Sequence, residues 1–213
     1  MRVLPMMIDR RRALTGAIAT TASMALNHRV AASTPTPGSL AREPLFDLLR
    51  QPGHVGFMRH AWAPFEGAPK SKPHAAEAIG PCETQRNLNA DGRADAKRLG
   101  DLFRAANLSF DFVYTSHICR CRETAELMMQ RPVENLPLIN SYFTDPDKAR
   151  GQAQIKYLKQ FLNHTLAPHL RGLMVTHGSL ISDLSRIDTY ESEIVVVKAD
   201  GAGDVRVVGR GRP

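Results

Sequence analysis

The chain has 213 residues, 43% hydrophobic and 23% charged, with a formal net charge of +7, which is ordinary globular material for one main domain. Residues 1–32 hold five of the 28 basic residues and one of the 21 acidic ones, so the remainder carries only about +3. Without its start the chain loses most of the case for nucleic-acid binding.

That start has three parts. Arg10, Arg11 and Arg12 precede an uncharged, weakly apolar run at 13–26, and Val30-Ala31-Ala32 leads to Ser33. A basic beginning, a short apolar middle and a small-residue exit make an export signal. Adjacent arginines and the basic His28-Arg29 near the exit favour the twin-arginine type. The run is too short and too rich in Ala, Thr and Gly to span a bilayer stably, so the mature chain is expected outside the cytoplasm, periplasmic or otherwise exported, with no stable membrane span. An uncleaved anchor or a tail is the alternative. Residues 33–43, with Pro35 and Pro37, read as a linker, and 44–213 as the folded domain.

Within that domain a short helix is expected at 44–50 and a strand at 55–58, closed by Arg59-His60. Residues 61–88 carry Pro64, Gly67, Pro69, Pro73, Gly80 and Pro81, too many breakers for regular structure. A loop this long in a compact domain is usually functional, and it reads as a wall or lid. Apolar spacing predicts a helix at 89–106 with Asn89 as cap, a strand at 110–115 and a helix at 120–130. Asp145-Pro146 is a helix start, with Ile155, Leu158, Phe161, Leu162 and Leu166 on the apolar face that follows. A strand at 173–176 closes on His177, a short helix covers 179–185, and strands at 194–198 and 205–208 form a terminal hairpin around 201–204. Alternating strands and helices give an α/β protein, a three-layer α/β/α sandwich. The final hairpin makes its mostly parallel sheet mixed.

Residues at the carboxyl ends of strands in an open α/β sheet face the crevice where ligands bind. His60 and His177 both stand there, each followed by a small residue, Ala61 or Gly178. Either alone reads as a structural histidine. Two imidazoles with Arg59 beside one of them suggest a site for an anionic phosphate group. Arg120, at the junction of the 110–115 strand and the next helix, would project into the same crevice.

Together Arg59-His60, Ser116…Arg120…Thr124-Ala125 and Thr176-His177-Gly178 resemble the histidine phosphatase (phosphoglycerate mutase-like) superfamily over about 53–209. The stretch Cys82-Glu83-Thr84-Gln85-Arg86-Asn87-Leu88, followed by Gly92-Arg93, resembles an exported bacterial subgroup with Cys-x-x-Gln-Arg-Asn-Leu. The resemblance implies that His60 is a nucleophile forming a phosphohistidine, while Arg59, Arg120 and His177 hold the non-bridging oxygens. Spacing alone does not say which histidine attacks. The neutral ring that attack requires is favoured by neighbouring arginines. Arg86 is a further phosphate-binding candidate, a structural ion pair being the alternative.

The chain departs from the family pattern where many members carry a Leu-x-Glu general acid, because the stretch here reads Leu138-Ile139-Asn140. Asn140 cannot donate a proton at neutral pH. Glu66, Glu83 and Asp183 are substitutes, each also readable as a surface or capping residue. Alternatively the substrate has a good leaving group, such as an acyl phosphate or a phosphoramidate. Cys121 stands where the superfamily often has Ala, which leaves Cys82 and Cys119 as the better disulfide pair for an exported protein, three free thiols being the alternative. No metal-ligand spacing links the site candidates, so neither metal nor cofactor is expected. Lack of a Gly-x-Ser-x-Gly elbow argues against a serine hydrolase.

The expected partner is a small phosphorylated substrate. The subgroup suggests an envelope sugar phosphate, and a phosphoprotein or phosphohistidine is a second candidate. A mutase is disfavoured because phosphoglycerates are cytoplasmic. A catalytically idle phosphate- or glycan-binding module of the same fold is the alternative from a different class.

Overall fold

The structure, a computed structural model, describes residues 38–66, 80–142 and 148–213. The export-signal reading at 1–32, the start of the linker, the middle of the 61–88 loop and Asp145-Pro146 lie outside the described residues.

The first helix, α1 (Arg42–Arg50), begins two residues earlier than its sequence pattern. Pro44 sits in its first turn, where the missing N–H has no intrahelical partner to lose. Strand β1 (His54–Arg59) follows. Its Val55 and Phe57 join one apolar cluster and its Met58 the other, so it is buried on both sides. That accounts for a continuous apolar run where a half-exposed strand would alternate.

Helix α2 (Ala90–Ala105) is capped as expected, the Asn89 side chain accepting from Gly92 N. It leads through β2 (Phe112–Thr115), α3 (Cys119–Met129) and a two-residue edge strand, β3 (Glu134–Asn135). β3 is too short to leave a period in the sequence. Helix α4 (Lys148–Gln160) passes into a wide π-turn at Phe161–Thr165. There Asn163 Nδ2 donates to Lys159 O and Asp204 O while its Oδ1 accepts from Gly201 N, fastening the hairpin turn. Strand β4 (Gly172–Thr176), helix α5 (Gly178–Ser185) and the hairpin β5 (Ile194–Ala199) and β6 (Val205–Gly211) complete the chain.

The sheet order is β3-β2-β4-β1-β5-β6. β3, β2, β4 and β1 are mutually parallel, and β5 is antiparallel to both β1 and β6. α1, α2 and α3 pack on one face through Leu45, Phe46, Leu99, Phe103 and Met128. α4 and α5 cover the other through Leu158, Leu180, Ile181 and Leu184. The fold is therefore the expected three-layer sandwich around a mixed sheet. Among the described residues no helix is long and apolar enough to cross a membrane.

One topological step builds the site. After β2 and β3 extend the sheet outward, β4 returns and inserts between β2 and β1. Arg59 then pairs with Thr176, and His60 N donates to Thr176 O at 3.0 Å. Two histidines 117 positions apart in sequence thus leave adjacent parallel strands side by side.

Candidate active site

The two imidazoles lie with ring centroids 5.8 Å apart, both buried. Arg120, from the first turn of α3, reaches between them. Its Nε donates to His60 Nε2 at 3.0 Å and its Nη2 to His177 Nδ1 at 3.1 Å. Guanidinium nitrogens only donate, so both of these imidazole nitrogens carry lone pairs.

The opposite nitrogens fix the tautomers. His60 Nδ1 lies 2.8 Å from Ala61 O, and a carbonyl oxygen only accepts, so Nδ1 holds the proton and Nε2 faces Arg120 as a base. His177 is the reverse, donating from Nε2 to Ser116 Oγ at 2.9 Å. Ser116 Oγ also accepts from Ile118 N and donates to Asn140 Oδ1 at 3.0 Å. His117 N donates to the same Asn140 oxygen at 2.8 Å, and Asn140 Nδ2 faces His117 Nδ1 at 3.3 Å. Asn140 is buried and its amide oxygen takes both of these donors, so it orients Ser116 and, through it, His177.

Burial first, then the Arg120 charge, holds both imidazoles well below the ordinary histidine value of 6.5. Both rings are therefore neutral at physiological pH. Burial pushes the free thiol of Cys121 up to about 12. It stays protonated, 3.4 Å from Thr176 O and 3.4 Å from His177 Nε2.

Thr124 sets the spacing between β1 and α3. Its hydroxyl donates to Arg120 O one turn back at 2.7 Å and accepts from Ala61 N at 3.1 Å. Gly92 lets α2 close on the same segment, since a Cβ there would meet Trp62 O at 2.1 Å.

Arg59 is placed differently from Arg120. Nη1 donates to Thr189 O at 2.5 Å and Nη2 to Glu191 Oε1 at 2.5 Å, while the side chain runs along Gly178. The guanidinium thus flanks the β4 histidine with a carboxylate already on it. Arg86 donates to Ala63 O and stacks on the Phe65 ring at 3.9 Å. Burial, then the Arg120 and Arg59 charges, lowers it to about 10. It therefore belongs to the same electropositive cluster, and its partners are a carbonyl and a ring rather than an acid.

The rest of the Gln85-Arg86-Asn87 stretch is structural. Gln85 Oε1 accepts from Cys119 N at the start of α3 at 2.9 Å, Gln85 Nε2 donates to Gly80 O, and Asn87 Nδ2 donates to Cys82 O. Cys82 and Cys119 form a disulfide, 2.02 Å between sulfurs, and Cys121 is free and buried. This bridge ties the end of the long loop to the turn that carries Arg120.

Of the substitute acids, Glu66 and Glu83 are exposed, and Asp183 accepts from Tyr142 OH at 2.7 Å. Sequence reasoning missed Glu191. It lies on the connection between α5 and β5, outside every motif, and only the pairing of β1 with β5 brings it to Arg59. No group of His, Cys, Asp and Glu able to hold a metal occurs among the described residues.

Solved structures share this architecture. The protein histidine phosphatase SixA complexed with tungstate is similar at a TM-score of 0.51 and 20% identity, over 75% of this chain and 97% of that one. Phosphoserine phosphatase from Entamoeba histolytica, in complex with 3-phosphoglyceric acid, gives 0.54 and 13%, over 75% and 97%. An α-ribazole-5′-P phosphatase from Escherichia coli, described as putative, gives 0.52 and 16%, over 74% and 95%. A family model described as histidine phosphatase superfamily (branch 1) matches residues 71–140. That segment is similar to the histidine phosphatase superfamily. The family match takes in Arg86, Arg120 and Asn140 but neither histidine. His60 and His177 join that segment through the fold. No curated protein sequence matches the chain.

Proposed function

We propose that this chain is a phosphohydrolase that removes phosphate from a small phosphorylated substrate through a phosphohistidine on His60. The family-model match over residues 71–140 and the fold shared with solved phosphatases support phosphohydrolase chemistry in general. The single observation that carries the specific reading is the arrangement of Arg120, which bonds the lone pairs of both buried imidazoles at 3.0 and 3.1 Å.

A phosphate monoester is dianionic above its second pKa of about 6. Arg59, Arg86 and Arg120 with Glu191 leave the cluster a net charge of two positives, which matches a dianion. As phosphate oxygens take up the Arg120 donors, His60 Nε2 is released with its lone pair toward phosphorus. Its proton stays on Nδ1, held by Ala61 O. The incoming charge draws a proton onto His177 Nδ1, turning that nitrogen from acceptor to donor toward a non-bridging oxygen. Charge-assisted bonds from Arg120 and His177 then hold the trigonal transition state in a buried pocket, where preorganised donors are most effective. Water cleaves the phosphohistidine in a second step.

Export is part of the proposal. It is supported by the three-part start of the sequence and by a disulfide, which persists in oxidising compartments. A sugar phosphate of the envelope is the substrate class we favour. Mass spectrometry of the mature amino terminus tests the export reading, and an intact Met1 on exported protein contradicts it. Turnover of p-nitrophenyl phosphate tests the chemistry, because its good leaving group reveals hydrolysis whatever the acid. Binding of inorganic phosphate with no turnover of this ester or of a panel of sugar phosphates would establish the idle binding module instead.

A further inference from the structure

An alkoxide leaving group needs a proton donor, and this site has none where one is first sought. Asn140 carries no acidic proton, and its amide is spent on Ser116, His117 N and His117 Nδ1. His60 Nδ1 is bound to a carbonyl, and the Cys121 thiol stays protonated. Glu193 is ion-paired with Arg210 and accepts from Tyr190 N. Asp95 is held by Arg98 and Ser192.

Glu191 is placed otherwise. The next residue, Ser192, donates its backbone N–H to the carbonyls of both Arg59 and His60, at 3.1 and 3.3 Å. The preceding Thr189 carbonyl takes Arg59 Nη1. The 189–192 segment is therefore fastened onto the nucleophile's own strand end, and the Glu191 carboxylate stands on Arg59, largely shielded from solvent.

We propose that Glu191 is the proton donor to the leaving group and the acceptor of the proton from the hydrolytic water. This rests on the phosphohistidine reading above. In the resting site Glu191 is a carboxylate paired with Arg59. Substrate oxygens replace it on that guanidinium, so the carboxylate exchanges a cation for a dianion as its neighbour and takes a proton from solvent. His60 Nε2 then bonds to phosphorus as the ester P–O bond breaks. The departing oxygen keeps the electron pair and receives the Glu191 proton. In the second step water attacks phosphorus, the N–P bond breaks with its pair returning to Nε2, and the water proton goes to Glu191. Ester and water become alcohol and phosphate, with Glu191 and His60 restored.

The test is a leaving-group series of phenyl phosphates running from 4-nitrophenol to 4-methylphenol, assayed with the wild type, Glu191→Gln and Glu191→Asp. A residue that only positions Arg59 would lower kcat/KM by one factor for every ester. A proton donor predicts that Glu191→Gln loses on the order of 10²-fold with 4-methylphenyl phosphate and at least about tenfold less with p-nitrophenyl phosphate, with Glu191→Asp between the two. A uniform loss across the series, no loss, or a wild type already as sensitive to the leaving group as the variant overturns the role of Glu191 alone. A wild type that hydrolyses no ester overturns the phosphatase reading itself.

Discussion

His60 and His177 begin alike and end opposite. Each leaves the carboxyl end of a parallel strand, each is buried, and each gives a lone pair to Arg120. The proton of His60 is held on Nδ1 by the main chain at Ala61, whereas that of His177 is held on Nε2 by a side-chain relay through Ser116 and Asn140. A backbone carbonyl cannot be substituted and does not rotate away, so the tautomer of His60 is built into the chain itself. That of His177 depends on two side chains from two other segments. Permanent presentation of Nε2 suits a nucleophile. An adjustable ring suits a group that must change from acceptor to donor as phosphate arrives.

The largest effect expected of this contrast is in turnover. His60→Ala should abolish hydrolysis of p-nitrophenyl phosphate, by roughly 10⁴-fold or more in kcat. His177→Ala should leave a slow but measurable rate, since it removes one stabilising group and not the bond-forming atom. Equal residual rates in steady-state assays would erase the distinction between the rings.

Arg120 touches both rings and should come next. Arg120→Ala is expected to cost about 10²–10³-fold in kcat, and Arg120→Lys should restore little, because a point charge cannot make the forked contacts. Full activity of the lysine variant would mean that the fork geometry does not matter.

The disulfide sharpens the contrast from the side of α3, whose first turn carries Arg120. It closes a loop of sequence separation 37, so Cys82→Ser should lower unfolding stability in denaturant by roughly 3–4 kcal/mol, with activity falling more than phosphate-independent folding markers. A variant as stable as the wild type would show that this closure does not constrain the unfolded chain.

The smallest effect is in the pH dependence of stability. Both imidazoles are held below 6.5 in the fold, by burial first and then by Arg120. Below about pH 6.5 the unfolded chain therefore binds more protons than the folded one. Stability should be level above that pH and fall beneath it, by up to about 1.4 kcal/mol per pH unit per histidine. His60→Asn should remove about half of that slope in denaturant titrations from pH 4 to 8. A slope of opposite sign would mean that the rings are charged in the native state.

Much of this was legible in the sequence, for reasons visible in particular elements. β1 and β4 are buried on both faces and so read as unbroken apolar runs. α2 has a side-chain cap at Asn89, and the Arg120 segment carries its own brace in Thr124. The convergence of His60, Arg120 and His177 followed from strand-end placement. The relay through Asn140 did not, because a buried asparagine announces nothing about its partners. Glu191 was hidden for a related reason, since β5 lies beside β1 only after the chain has crossed the whole sheet. The two-residue β3 and the π-turn at Phe161–Thr165 are set by tertiary contacts, and local pattern does not reach them.

The most direct measurement is the position of the phosphoryl group on the trapped enzyme. Rapid mixing with a phosphoryl donor, alkaline quenching and peptide mapping would locate the label, and phosphorus NMR of the peptide would identify the ring nitrogen. The account predicts phosphate on His60 and on Nε2, the nitrogen facing Arg120. Label on Nδ1 of His60, label on His177, or turnover with no phosphohistidine at all would contradict it.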